Sequence, residues 1–296
     1  GKHDWVFDLD VTSMYPSVIM SLNISPETKL GKLTEWEPQD FIREVEKTYV
    51  IQDDYENEVA SMSYSDFKQY VTENKISISA NGVLYRNDKA GLIPAILSKW
   101  FDERVEYRKL AKKYGNDGNT ERYEYFDRRQ LIQKIMLNSL YGVLGLSVFR
   151  FYDIDNAEAT TLTGQSLIKF SRTITNHFYN EQLGTDEDYV IYIDTDSIFA
   201  SALPLVKHRY PKENVNSKPM MTKRILSIAS ELQEYLNNSY DYFAQKFCNI
   251  NEHKFEIKQE VIGISGLFIA KKRYGMKIIN DNGVEVNKML VKGIDT

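Results

Sequence analysis

A chain of 296 residues with 42% apolar and 27% charged side chains has the material for one large or two smaller globular domains with a substantial core. Its formal charge of −5, from 37 Lys+Arg against 42 Asp+Glu, argues against nucleic-acid binding driven by overall charge; its single cysteine, Cys248, excludes an internal disulfide framework and a thiolate zinc cluster. No apolar stretch approaches the ~20 residues of a membrane span and no signal peptide is visible, so a cytoplasmic protein is expected. The first residue is Gly rather than Met, as expected of a processed or excised piece.

The first predicted element is a short apolar strand over Val6–Leu9 that ends in Asp10; Ser13 to Pro16 then carry helix-start chemistry. Residues 31–90 are polar and mixed, with Asn81-Gly82 as a hairpin turn between Ile76–Ser79 and Val83–Tyr85. From Pro94 to about Lys113 the positions Ile96, Leu97, Trp100, Phe101, Arg104, Val105 and Arg108 have helical spacing. Gly115-Asn-Asp-Gly118 interrupts them, and a second helix runs from about Thr120 to Leu140 and stops at Gly142, so the two form an antiparallel hairpin. A third helix is expected over Ala157–Tyr179, then a strand over Tyr189–Ile193 and a turn at Asp194-Thr-Asp196. A Pro- and Lys-bearing loop at 204–219, a helix over Thr222–Phe247, and strands over Lys254–Ile264, Leu267–Ala270 and Tyr274–Ile279 complete the chain, with Asp281-Asn-Gly283 as a turn. The expected class is α+β: an antiparallel sheet with packed helices and an inserted helical hairpin.

Three segments carry chemistry. Asp10 closes an apolar strand, where a rigid sheet can present a carboxylate to a metal ion; turn chemistry is the ordinary alternative. Alternation puts Asp8 on the same face. Asp194 and Asp196 flank one residue in an apolar setting, where two charges repel and lose solvation; a bound cation removes that penalty, and a plain surface hairpin is the alternative. Lys134, Asn138 and Tyr141 fall at i, i+4 and i+7, hence on one helical face, and Arg104 and Arg108 are i, i+4 on the other helix. A face of cation, amide and phenol suits phosphate oxygens and a base pair, although either set alone could be a solvated face.

Together these segments resemble family B DNA polymerases. Asp10-Val-Thr-Ser-Met-Tyr-Pro-Ser-Val-Ile is similar to that family's D-x-x-S-L-Y-P-S-I-I. Lys134 to Gly142 is similar to its K-x-x-x-N-S-x-Y-G helix, Tyr192 to Ser197 to its Y-x-D-T-D-S turn, and Lys271-Lys-Arg-Tyr274 to its K-K-x-Y element. Asn23–Thr28 and Gly142–Asp153 resemble the T-even-type bacteriophage members, which would place the chain in a host cytoplasm. The resemblance runs from residue 4 to about 295 and covers palm and fingers only, with the palm at 1–93 and 146–296 and the fingers hairpin at 94–145. Met14 stands where Leu is usual, a nearly volume-neutral change, and the hairpin is short for a phage-type enzyme.

The resemblance implies template-directed DNA synthesis by two-metal phosphoryl transfer, with two magnesium ions (manganese as the substitute) held by Asp10, Asp196 and the backbone of Val11, and Asp194 as an accessory acid. It implies that Ser13, Met14, Tyr15, Arg104, Arg108, Lys134 and Asn138 bind the nucleotide, Lys134 also serving the leaving pyrophosphate. Tyr141 and Gly142 would lie on the minor-groove side of the new pair. Lys271, Lys272, Arg273 and Tyr274 would hold DNA, and Glu260 and Asp8 would lie near the metals. Implied partners are primer–template DNA, a deoxynucleoside triphosphate, other polypeptides supplying the exonuclease and thumb, and replication accessory proteins, with no membrane. Two rivals are a non-catalytic primer–template-binding or assembly subunit and a metal-dependent nuclease. A reverse transcriptase would show a Y-x-D-D turn, and this chain has Thr195 between the acids.

Overall fold

The computed structural model describes residues 1–294. In chain order its elements are β1 (Lys2–Val11), α1 (Met14–Leu22), a 3₁₀ turn (Pro26–Thr28), β2 (Lys29–Leu33), α2 (Pro38–Ile42), β3 (Tyr49–Gln52), β4 (Glu58–Met62), α3 (Tyr64–Glu73), β5 (Ile76–Ile78) and β6 (Val83–Arg86). There follow α4 (Leu92–Asn116), α5 (Thr120–Leu144), α6 (Ile154–Leu183), β7 (Val190–Asp194), β8 (Ser197–Ser201), α7 (Leu203–Arg209) and α8 (Lys218–Tyr242), the last running into a π-helical turn at Phe243–Phe247. Strands β9 (Ile257–Lys258), β10 (Val261–Ala270), β11 (Arg273–Asp281) and β12 (Val284–Lys292) close the order. The class is α+β, as expected. No helix among the described residues is long and apolar enough to cross a membrane.

The chain divides into two compact units. One comprises Gly1–Thr12, Gln165–Asp241 and the residues from Phe255 onward; the other comprises Ser13–Gly164 and Tyr242–Lys254.

The first unit is built on a seven-stranded sheet in the order β12-β11-β10-β1-β8-β7, with β9 paired to the end of β1. Strand β1 is central because Val6, Phe7, Leu9 and Val11 are wholly buried, and a strand apolar on both faces must be covered on both. It pairs antiparallel with β8 in the register Val6↔Ser201 to Asp10↔Ser197, and with β10 from Lys2↔Leu267 to Phe7↔Ile262. Strand β10 is continuous through Gly266, where the sequence suggested two pieces. A Cβ at Gly266 would lie 2.8 Å from the Phe268 ring and 3.1 Å from Met276, so glycine here allows close packing rather than a break. The stretch read as a loop at 204–219 begins with helix α7. Pro204 sits in its first turn, Leu205 and Val206 are buried, and Lys207, His208 and Arg209 occupy the last turn, where cations favour the helix dipole.

The second unit holds the elements that the sequence disclosed least. Residues 29–86 form a five-stranded antiparallel sheet in the order β4-β3-β2-β6-β5, where only the β5–β6 hairpin was expected. Its strands are short, and its core is made by dispersed aromatic residues. Tyr49 stacks on Phe67 at 4.8 Å, and Phe41 and Tyr64 pack around them. Gly31 (φ 148°) brings β2 against β3: a Cβ there would meet the Gln52 carbonyl oxygen at 2.6 Å.

The expected hairpin is present as α4 and α5, each longer than the periodicity suggested. Gly115 lies within α4, where a Cβ would crowd the Tyr123 ring at 3.2 Å, and α5 continues through Gly142 to Leu144.

A partly buried ion cluster fastens this sheet to the start of α6. The Lys29 ammonium contacts Asp54 (2.6 Å), Asp153 (3.2 Å) and Asp155 (3.0 Å), and Lys32 adds a second bond to Asp155 (2.7 Å). Burial opposes the Lys29 charge, but the carboxylates of Asp54, Asp155 and Asp153 outweigh it and raise its pKa. Lys29→Met leaves Asp153 uncompensated in a partly buried position and leaves Asp155 to Lys32. It is expected to destabilise the chain by on the order of 3 kcal/mol, read as a lower midpoint in urea denaturation with an unchanged slope.

Candidate active site

Asp10 is the last acid of β1 and is half-buried. Its register partner is Ser197, whose hydroxyl donates to Asp10 Oδ2 at 2.7 Å. One residue on, the Val11 N–H donates to the Asp196 carbonyl at 2.8 Å, and the Thr12 N–H donates to the Glu256 carbonyl at 2.8 Å. The backbone of β1 is thereby fixed against the β7–β8 turn on one side and the residues before β9 on the other. Asp10 and Asp196, separated by 185 intervening residues in the chain, end on adjoining backbone segments.

The turn that carries Asp196 is a two-residue hairpin closed by the pair Asp194↔Ser197. Thr195 adopts φ 54°, a left-handed conformation that costs roughly 1–2 kcal/mol for a residue with a Cβ and is rarer still for a β-branched one. The Asp196 N–H donates to the Asp194 carbonyl at 2.6 Å, and Thr195 is exposed, so the turn is tight and strained where glycine would relieve it.

Asp8 lies on the same strand face but has a different environment. It is 6% exposed, and its Oδ1 accepts the backbone N–H groups of Val261 (2.7 Å) and Glu260 (3.1 Å), tying β1 to the start of β10. Burial pushes its carboxyl up to about 7; the two amides pull it down, and the charges of Glu260 and Asp10 push it further up. The Glu260 side chain is exposed, and its carbonyl accepts the Asn282 N–H.

Lys271, Lys272 and Arg273 are exposed at the turn between β10 and β11, and Tyr274 is buried behind them. Its ring stacks on Phe268 at 5.4 Å and lies 5.3 Å from Tyr192 and 5.4 Å from Phe199. Burial, then the charges of Asp194, Tyr192, Asp8 and Asp196, push the Tyr274 hydroxyl up to about 12. The structure thus brings the acids and the Lys271–Tyr274 element onto one unit.

The remaining residues belong to the other unit. Ser13 caps α1 in a left-handed conformation (φ 47°), Met14 is buried and Tyr15 is half-buried. Arg104 Nη1 donates to Ser13 Oγ at 3.4 Å, so α4 reaches the start of α1. Tyr15 stacks on Tyr141 with ring centroids 4.3 Å apart, joining α1 to α5, and burial raises the Tyr141 pKa. Arg108, Lys134, Asn138 and Gly142 are exposed on the hairpin, and a Cβ added at Gly142 would meet nothing within 4 Å. The hairpin is stiffened by its own contacts: Tyr114 stacks on Phe126 at 5.6 Å, and Gln133 donates to Glu103.

Four contributors were given no role by the sequence. Ser197 orients Asp10, and its position directly after Asp196 was the available signal. Gly164, an isolated glycine in a helical pattern, leaves room for Met14 and Tyr15, whose atoms would lie 3.0 and 3.3 Å from a Cβ there. Phe199 and Phe268 complete the aromatic group around Tyr274, and nothing in their spacing revealed it.

Among the described residues no three His, Cys, Asp or Glu side chains gather closely enough to hold a metal ion by themselves. Asp10 and Asp196 place hard carboxylate oxygens on adjoining backbone segments beside backbone carbonyls. Donors of that kind suit magnesium, which keeps waters and takes phosphate oxygens as its other ligands, and do not suit a closed structural zinc site.

The chain belongs to DNA polymerase family B, whose family model matches residues 3–296. It is 25% identical to the DNA-directed DNA polymerase of Escherichia phage RB69 over 366 aligned residues, covering 100% of this chain and 37% of that protein. It is 26% identical to the enzyme of the same name from Enterobacteria phage T4 (99% and 36% covered) and 24% identical to DNA polymerase 1 of Pyrococcus abyssi (100% and 28%). The chain spans little more than a third of the length of the phage relatives it matches.

The environment of Asp8 sets a pH dependence. Its folded-state pKa lies above the ordinary value of 3.8, so this contribution to stability is complete below that value and is lost as pH rises through about 7. Asp8→Asn keeps the oxygen that accepts both amides and removes the charge. In a chelating buffer, the variant is expected to lose this pH dependence and to exceed the parent in urea midpoint above about pH 7. Equal midpoints for parent and variant across the range would contradict the assignment.

Proposed function

We propose that this chain supplies the palm and fingers of a template-directed DNA polymerase that adds deoxynucleotides to a primer 3′-hydroxyl, with residues 1–93 and 146–296 as palm and 94–145 as fingers. The observation that carries the reading is the fixed pairing at the β1 end: Ser197 on Asp10 and the Val11 N–H on the Asp196 carbonyl hold the two acids on one rigid edge. Magnesium bound to such a pair would neutralise the triphosphate and lower the pKa of the attacking hydroxyl.

The chain's own residues divide the remaining work. Asp10 and Asp196 hold the cation sites, with the Val11 backbone as a further ligand and Asp194 as an accessory acid. Phosphoryl transfer needs positioning and charge neutralisation more than covalent chemistry. Arg104 and Arg108 offer planar forks to the triphosphate, while Lys134 offers a point charge to the departing pyrophosphate beside the Asn138 amide. Ser13 and Met14 begin α1, where backbone N–H groups are available to phosphate oxygens. Tyr15, packed against Tyr141 and Gly164, gives a firm surface for the sugar and excludes a 2′-hydroxyl. Tyr141 and Gly142 serve the minor-groove side of the new base pair; the open space at Gly142 supports close approach there. Lys271, Lys272 and Arg273, backed by Tyr274, hold the DNA backbone without regard to sequence.

Asp10→Asn and Asp196→Asn are each expected to lower nucleotide addition by at least about 10³-fold, because one acid cannot hold what two share. Extension by either variant at a rate near the parent's would sink the assignment. Tyr15→Ala is expected to raise ribonucleotide incorporation relative to deoxyribonucleotide incorporation far more than it lowers overall extension. An unchanged sugar ratio in a competition assay would remove Tyr15 from that role.

A further inference from the structure

The basic turn Lys271–Arg273 and the acid turn Asp194–Asp196 lie on strands that are not neighbours. Between β7 and β10 the sheet runs through β8 and β1, so no backbone ladder sets one turn against the other. The Tyr192 side chain crosses that gap. The Tyr192 hydroxyl accepts the backbone N–H of Lys272. The ring beneath it is held by Phe199 (5.9 Å), Phe268 (5.3 Å) and Tyr274 (5.3 Å), and the group rests on Val6, Met276 and Ile278.

The accepted N–H belongs to the residue that most needs help. Lys272 adopts φ 60°, a left-handed conformation disfavoured for a residue with a Cβ, and its side chain is exposed, so packing of that side chain does not select the conformation. The pair Ala270↔Arg273 closes the turn from below, and the Tyr192 hydroxyl anchors it from the side. Tyr192 also stands two residues before Asp194 on the same strand, so whatever fixes its ring fixes the start of the acid turn.

We infer that Tyr192 is a positioning residue. Its hydroxyl holds the basic turn in one conformation relative to the carboxylates, so that a nucleic-acid phosphate backbone gripped by Lys271, Lys272 and Arg273 is registered against the acid edge. This rests on the polymerase reading, and it adds a role for the phenol hydroxyl as distinct from the ring. Tyr192→Phe separates the two, since phenylalanine keeps every ring contact and loses only the acceptor.

The test is fluorescence anisotropy of a labelled primer–template hairpin with the whole chain, as parent and as Tyr192→Phe, across a salt series. The variant is expected to bind about three- to tenfold more weakly, with a shallower dependence of log affinity on log salt, because one phosphate contact is no longer held in place. Hydrogen exchange at the Lys272 amide is expected to be faster in the variant, while the melting transition stays close to the parent's. Equal affinity and equal salt slope would overturn the inference. A parent that binds no primer–template would instead overturn the polymerase reading, and the Lys272 amide would then decide the matter: an exchange rate unchanged by Tyr192→Phe contradicts the positioning role.

Discussion

The antiparallel pairing of β1 with β8, extended by the bond from the Val11 N–H to the Asp196 carbonyl, is the constraint on which the acid edge depends. Each carboxylate alone would be an unremarkable turn residue. The register Asp10↔Ser197 brings them to adjoining backbone positions and leaves a hydroxyl to orient one of them. Because a strand presents alternate residues to one face, slipping the register by one would turn Asp10 away and send a buried apolar side chain into its place. The wholly buried Val6, Phe7, Leu9 and Val11 make such a slip costly, so the core of the sheet specifies the placement of the acids.

Strain and charge are distributed in keeping with that arrangement. Thr195 and Lys272 each occupy a left-handed conformation at the tip of a hairpin in the same unit, and each is flanked by residues of the proposed site. Such conformations persist where surrounding structure over-determines them. Here the ladder of β7 and β8 holds the first, and the Tyr192 hydroxyl holds the second. Asp8, next but one to Asp10, is drawn away by two backbone amides, which leaves its neighbour as the acid presented at the strand end.

The sequence disclosed what depends on local pattern. The strand before Asp10, the hairpin of α4 and α5, and the helical face shared by Lys134, Asn138 and Tyr141 are periodic and need no long-range information. The sheet of residues 29–86 was hidden because its strands are only three to five residues long and its core is assembled from aromatic residues far apart in the chain. Helix α7 was hidden by Pro204, which reads as a loop signal yet suits a first helical turn. At the candidate site the residue types were legible from their segments. The partners were not: Ser197 for Asp10, Gly164 for Tyr15 and Tyr192 for Lys272 are contacts across distant strands or helices, set by tertiary packing rather than by spacing.

The central claim is that Asp10 and Asp196 act as one cation-binding pair, and manganese binding followed by electron paramagnetic resonance tests it most directly. With primer–template and a non-hydrolysable deoxynucleoside triphosphate present, the parent is expected to bind the ion, and Asp10→Asn and Asp196→Asn are each expected to abolish most of that binding. Manganese affinity equal to the parent's in either single variant would contradict the claim.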